Sequence, residues 1–188
     1  MQGIWPEIWT TLRTEFSDVP DASEATRMVL RLLMAALLGG LLGYERERSG
    51  KSAGLRTHIL VALGACLFVL APLQAGMKIN DLSRVMQGVI AGIGFLGAGA
   101  IIKFSDERRI RGLTTSAGIW LTAAIGITAG MGRETTAVFA TLLALFVLHV
   151  LHRVEKRMDQ RLHQHALIQT DSNRTDLPMR RSTADDDV

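Results

Sequence analysis

At 188 residues with a formal net charge of +3, the chain has the length of one or two small soluble domains, yet 48% of its residues are hydrophobic and only 21% are charged. The hydrophobic residues gather into five runs, roughly 28–43, 58–75, 85–102, 113–130 and 135–151. Each is apolar on all sides and near the short end of what crosses a hydrocarbon core about 30 Å thick, which excludes a water-soluble domain and predicts an all-α membrane protein with a bundle of about five transmembrane helices.

Residues 1–27 precede the first run and are assigned to a periplasmic N-terminal segment. They lack a basic region followed by an apolar core, so no cleaved leader is expected. Trp5, Trp9, Leu12 and Phe16 recur at helical spacing and suggest an interfacial helix with its indoles at headgroup depth. After Pro20, Asp21 and Glu24 have capping-box spacing and can start the first membrane helix early. Arg31 lies one turn inside the outer end of that helix. It is either an intramembrane functional charge or a side chain that snorkels outward.

Small residues recur along the runs, and Gly39, Gly43, Gly88, Gly92, Gly94, Gly97, Gly118 and Gly126 are the expected helix-packing positions. In lipid, such residues let backbones approach closely and gain dispersion contacts. Gly92, Gly94 and Gly97 also match G-x-G-x-x-G, but they sit inside an apolar run rather than between a strand and a helix, so a dinucleotide site is not inferred. Cys66 lies inside the second run and reads as a small packing residue.

Basic residues alternate between connectors. Arg46, Arg48, Lys51 and Arg56 follow the first run, Lys103, Arg108, Arg109 and Arg111 follow the third, and Arg153, Lys156 and Arg157 follow the fifth. The second connector offers only Lys78 and the fourth only Arg133. This pattern puts the N-terminus outside, with both basic turns and the C-terminus in the cytoplasm. The transmembrane domain is bounded at 28–152. An amphipathic cytoplasmic helix extension is expected over 153–168, where Val154, Met158 and Leu162 form a stripe, and a disordered tail over 169–188. His149, His152 and Glu155 share a face, but no further ligand is evident, so they read as interfacial residues and no metal site is assigned. The high sequence pI of about 9.5 follows membrane topology and does not point to nucleic acid.

A shift of about 58 positions lays the first hairpin on the second. Leu38 meets Leu96, Gly39 meets Gly97, Gly54 meets Gly112, Leu55 meets Leu113 and Thr57 meets Thr115. Both hairpins turn on the same side, so the predicted bundle is two parallel, pseudo-symmetric hairpins plus one helix. The shift also makes Glu45 and Lys103 equivalent, each at the cytoplasmic end of its helix. Thr57 and Thr114 or Thr115 are expected to cap the second and fourth helices. Helix N-termini carry partial positive charge and free amide donors. With Glu45, Arg46, Arg56 and Lys103 alongside, these threonines outline a cytoplasmic-rim candidate site for an anionic group; the alternative is that they only cap and join the hairpins.

The strings Gly54–His58 (GLRTH), Gly92–Gly99 (GIGFLGAG), Arg111–Thr115 (RGLTT) with Trp120, and Gly43–Arg46 (GYER) resemble the signature of the MgtC/SapB family of bacterial inner-membrane proteins. The resemblance covers roughly 28–151. It implies a plasma-membrane protein of about five helices, tied in longer members to magnesium homeostasis and to restraint of the F-type ATP synthase. Those members carry a soluble ACT-like domain after the last helix, and this sequence departs from them in having a short polar tail there.

Three function classes follow. A non-enzymatic regulator or scaffold, acting on other membrane proteins such as the ATP synthase and open to self-association, suits the small-residue stripes and charged rim. A small ion transporter or channel, for Mg²⁺ above all, would need oxygen ligands, and no Asp or Glu lies mid-span. An enzyme has no nucleophile–base pair, metal cluster or phosphate loop to support it, and no cofactor is implied.

Overall fold

The computed structural model describes residues 4–15, 21–103, 110–151 and 153. The chain divides into two units, residues 1–145 and 146–188. The first holds α1 (Ile4–Glu15), α2 (Ala22–Arg48), α3 (Leu55–Gln74), a 3-10 turn (Ile79–Asp81), α4 (Leu82–Gly99) and α5 (Leu113–Gly130). It also holds the start of α6 (Glu134–Leu151), which continues into the second unit. Five of these helices are long and apolar enough to cross a membrane, α4 together with its leading turn. The expected cytoplasmic extension and the tail lie outside the described residues, apart from Arg153.

The helices stop where the backbone can turn sharply. α2, α3 and α5 are each followed by a glycine with positive φ: Gly50 (65°), Gly76 (86°) and Gly132 (72°). In each case the glycine amide and the next amide donate back into the last turn, as in Gly50 N to Glu47 O and Lys51 N to Arg46 O. This arrangement satisfies carbonyls that would otherwise end in lipid or at its edge.

α2 begins at Ala22, ahead of the apolar run, as Asp21 suggested. The capping box itself is not formed: the Asp21 carboxylate accepts from the Ser23 hydroxyl at 2.8 Å. That bond holds its carboxyl below the ordinary aspartate value. α1 is a real helix, exposed along its whole length, with Trp5 and Trp9 among its outward groups.

α3 and α5 cross at the centre of the first unit, and α2 packs against both. Glycine makes this crossing close. A Cβ on Gly126 would overlap the Ala62 carbonyl oxygen, and one on Gly130 would lie 2.7 Å from the Cys66 carbonyl oxygen. α2 packs mainly on α3, and α4 packs mainly on α5. Each hairpin thus pairs its own two helices, an arrangement consistent with the 58-residue repeat. The element starts agree too, since α3 opens at Leu55 and α5 at Leu113, each after a glycine.

The core is small: Ala65, Val69, Leu82, Ile93, Ala123 and Ile127 are among its members. Large apolar side chains such as Leu33, Leu60, Phe68, Phe95 and Phe139 point outward. An apolar exterior around small interior residues is the arrangement lipid demands, because leucine gains little by moving from lipid into protein.

The two connectors at the basic end differ. α2 runs to Arg48 and a short turn leads into α3. α4 stops at Gly99, short of the predicted boundary, and the chain forms a two-residue antiparallel ladder in which Ile102 pairs with Arg111 and Lys103 with Ile110.

Candidate functional site

The residues expected at the cytoplasmic rim separate into an outer and an inner set. Arg56, Thr57 and Thr114 are exposed, and Glu45 is partly covered. Arg46 and Thr115 are buried, Arg46 with only 3% of its surface exposed. The side chain of Lys103 lies outside what is described. The threonines do not cap the helices. Gly54 and Gly112 occupy the cap positions, and Thr57, Thr114 and Thr115 sit inside the first turn. The cap of α3 comes from another helix: Glu47 on α2 accepts from the Leu55 amide at 2.8 Å. Gly54 permits this, because a Cβ there would stand 2.7 Å from the Glu47 carboxylate. A carboxylate at a helix N-terminus is favoured by the local dipole.

At the second turn the approach is made by backbone alone. Gly112 has φ of 97°, and a Cβ on it would overlap the Ala100 carbonyl oxygen. Only glycine combines that left-handed conformation with that contact.

The inner set contains a polar centre the sequence did not announce. Arg46, in the last turn of α2, pairs through Nε with the Glu45 carboxylate, and Glu45 also accepts from the Ser49 hydroxyl at 2.9 Å. His58, in the first turn of α3, is fully buried. Its Nδ1 lies 2.9 Å from the Gly54 carbonyl oxygen. A carbonyl can only accept, so Nδ1 carries the hydrogen, and in the neutral ring Nε2 is then the acceptor. Among the described residues, Arg46 Nη1 and His58 Nε2 are the two buried side-chain polar atoms with no hydrogen-bond partner. Leaving such atoms unpaired costs about 1–3 kcal/mol each, which sets these two apart from the rest of the described interior.

Gly118 on α5 faces both. A Cβ there would lie 3.5 Å from His58 Nε2 and 3.9 Å from Arg46 Cδ. One turn on, the Thr122 hydroxyl donates to the Gly118 carbonyl at 2.8 Å, so that oxygen is already engaged. In the sequence Arg46 stands as one of several rim charges and His58 as part of the GLRTH string. The signal that was available is an ionisable side chain just inside an apolar run.

At the other end of the bundle, Arg31 neither stands alone nor snorkels free. Its Nη1 donates to the Gly130 carbonyl at 3.1 Å, and its Nε lies 3.9 Å from the Glu134 carboxylate. A cation on the last carbonyls of α5 is favourably placed against the helix dipole. Arg31 therefore fastens α2 to the turn between α5 and α6.

The glycines expected to pack helices also divide. A Cβ on Gly39 would lie 2.7 Å from Ala62 Cβ, and one on Gly43 2.7 Å from Leu55 Cα. Gly97 meets only the Ser116 hydroxyl, at 2.6 Å. Gly88, Gly92 and Gly94 meet nothing within 4 Å, so the packing expected of them is not made among the described residues. Gly88 and Gly92 instead line, with Gly64, Phe68 and Leu96, an apolar groove of about 590 Å³ between α3 and α4. Among the described residues, no three His, Cys, Asp or Glu side chains gather as a metal site would require.

Comparison with known proteins bears on the same residues. The MgtC family model matches residues 32–157, which takes in both hairpins and the polar centre. The chain belongs to the MgtC family. Protein SrpB of Synechococcus elongatus is 44% identical over 137 residues, covering 67% of this chain and 75% of that protein. YhiD of Escherichia coli K12, provisionally named a magnesium transporter, is 38% identical, covering 69% of this chain and 63% of YhiD. Protein MgtC of Salmonella typhimurium is 39% identical over 132 residues, covering 70% of this chain and 55% of that protein. The chain thus spans little more than half the length of this last family member. No solved structure is significantly similar.

Proposed function

We propose that this MgtC-family protein is a non-enzymatic regulator of the bacterial inner membrane, with its N-terminus outside and both basic turns inside, that acts by lateral contact with other membrane proteins. The observation that carries this reading is the groove between α3 and α4. A glycine-lined, wholly apolar furrow open to the lipid is what a neighbouring transmembrane helix needs to approach closely. The family resemblance makes the F-type ATP synthase the first target to test and low magnesium the condition.

A second reading, magnesium transport, is favoured by the name of YhiD. Mg²⁺ needs oxygen ligands and gives up its waters reluctantly. The described carboxylates on the five long helices, Glu24, Glu45, Glu47, Asp81 and Glu134, lie at helix ends rather than along a path through the bilayer.

The two readings separate in inverted membrane vesicles. The wild-type protein is expected to reduce ATP-driven proton pumping without Mg²⁺ flux. Gly92→Leu, which fills the groove where the chain itself has open space, is expected to restore pumping. Mg²⁺ flux in proteoliposomes of the purified protein would overturn the regulator and establish the transporter.

A further inference from the structure

We propose that α1 docks on the lipid bilayer itself, lying along the surface with the Trp5 and Trp9 indoles inserted, and that it is held there by apolar burial without help from charge. At 100° per residue, Ile4, Trp5, Ile8, Trp9 and Leu12 fall within an arc of about 140°. All five are exposed, Trp5 and Trp9 with 81% and 71% of their surfaces open. Glu15, in the last turn, is the one charged group inside that arc. The opposite side carries Glu7, Thr10, Arg13 and Thr14. There the Thr10 hydroxyl donates to the Pro6 carbonyl at 2.7 Å and the Thr14 hydroxyl to the Thr10 carbonyl at 2.9 Å. A helix with bulky apolar groups on one side and small polar ones on the other suits a boundary between oil and water, and indoles favour headgroup depth.

The chain itself brings the bilayer within reach. α2 has 27 residues, a length of about 40 Å against a hydrocarbon core of about 30 Å, so a spanning α2 leaves only about 10 Å clear of the core. Its outward Leu30, Leu33, Leu37 and Leu41 call for lipid around it. Residues 16–21 join α1 to α2, a tether of about 20–25 Å at full extension. The apolar face of α1 is therefore confined beside a lipid surface. Charge does not assist. Residues 1–26 carry Glu7, Glu15, Asp18, Asp21 and Glu24 against the single base Arg13, so an anionic headgroup repels this segment. Attachment has to come from the apolar arc.

The test uses the full chain with Trp120→Phe, which leaves Trp5 and Trp9 as the remaining indoles. It is reconstituted in phosphatidylcholine vesicles, and indole emission is quenched by aqueous acrylamide or by lipids carrying a nitroxide at the fifth or the twelfth acyl carbon. Quenching is expected to be several-fold stronger from the fifth carbon than from the twelfth, and acrylamide several-fold weaker than on a free indole. Replacing a third of the lipid by phosphatidylglycerol, or raising the salt, is expected to leave both readings unchanged. Ile8→Asp, within the arc, is expected to release the indoles to acrylamide, and Thr10→Asp, opposite it, to leave them protected. The difference between the wild-type signal and that of Trp5→Phe/Trp9→Phe gives the same reading without altering Trp120. Free access to acrylamide would overturn the proposal by placing the face in water. Protection from acrylamide and nitroxides alike would overturn it by showing a protein surface over α1. Insertion that appears only with phosphatidylglycerol, or equal effects of Ile8→Asp and Thr10→Asp, would also overturn it.

Discussion

The two hairpins share sequence matches at a 58-residue shift, yet they are assembled differently. In the first, α2 lies on α3 along Gly39 and Gly43, whose hydrogens stand where α3 backbone and side chains allow nothing larger. Its turn is closed by a side chain, Glu47, on the Leu55 amide. In the second, α4 touches α5 closely through Gly97 but leaves Gly88, Gly92 and Gly94 facing open space, and its turn is closed by backbone at Gly112. Of these helix glycines only Gly39 and Gly97 are equivalent under the 58-residue shift; Gly43 falls on Ile101, and Gly88, Gly92 and Gly94 fall on Leu30, Met34 and Ala36. The first hairpin uses its glycines in its own packing, whereas those of α4 leave a groove open.

Matched substitutions break or sharpen this contrast. Gly39 and Gly97 are equivalent in the repeat. Gly39→Ala must move Ala62 or the His58 carbonyl, so a loss of about 1–3 kcal/mol is expected, read as a lower unfolding midpoint in detergent. Gly97→Ala displaces only the Ser116 hydroxyl, which can rotate away, and is expected to cost far less. Equal losses would erase the distinction.

Next in size, Arg31→Ala removes the bond to the Gly130 carbonyl and the ion pair with Glu134. Both groups are partly exposed, so about 1 kcal/mol is expected, with proteolysis at the turn between α5 and α6 as a second readout. The smallest effect belongs to Glu47→Gln. It keeps an oxygen for the Leu55 amide but removes the charge, for about 0.3–1 kcal/mol, and the loss should shrink in high salt.

Much of the fold was legible because run length and charge alternation are set by the bilayer itself. Five apolar runs became five long helices, and α3 and α5 start at positions equivalent under the 58-residue shift, Leu55 and Leu113, ahead of the threonines expected to cap them. The threonine caps failed for a local reason: a glycine precedes each helix, and one of them admits a carboxylate from α2 that lies close only after folding. The rim site was half legible. Arg46 looked like its neighbours Arg48 and Arg56, since charge in a connector reads as solvent-facing. It is inside because Gly118 on α5, a helix remote from it in sequence, leaves room beside it. The unequal use of the glycines in α2 and α4 was likewise invisible, because spacing shows that a close approach is possible and not which helix makes it.

Cys66 is the single cysteine, fully buried under the Gly130 backbone in the α3–α5 crossing. A folded molecule therefore shields its native thiol from aqueous reagents. Cysteines introduced one at a time at Lys51 and at Met77 would report through an impermeant maleimide with little background, giving a sidedness map of the intact membrane without first removing a residue the helix crossing depends on.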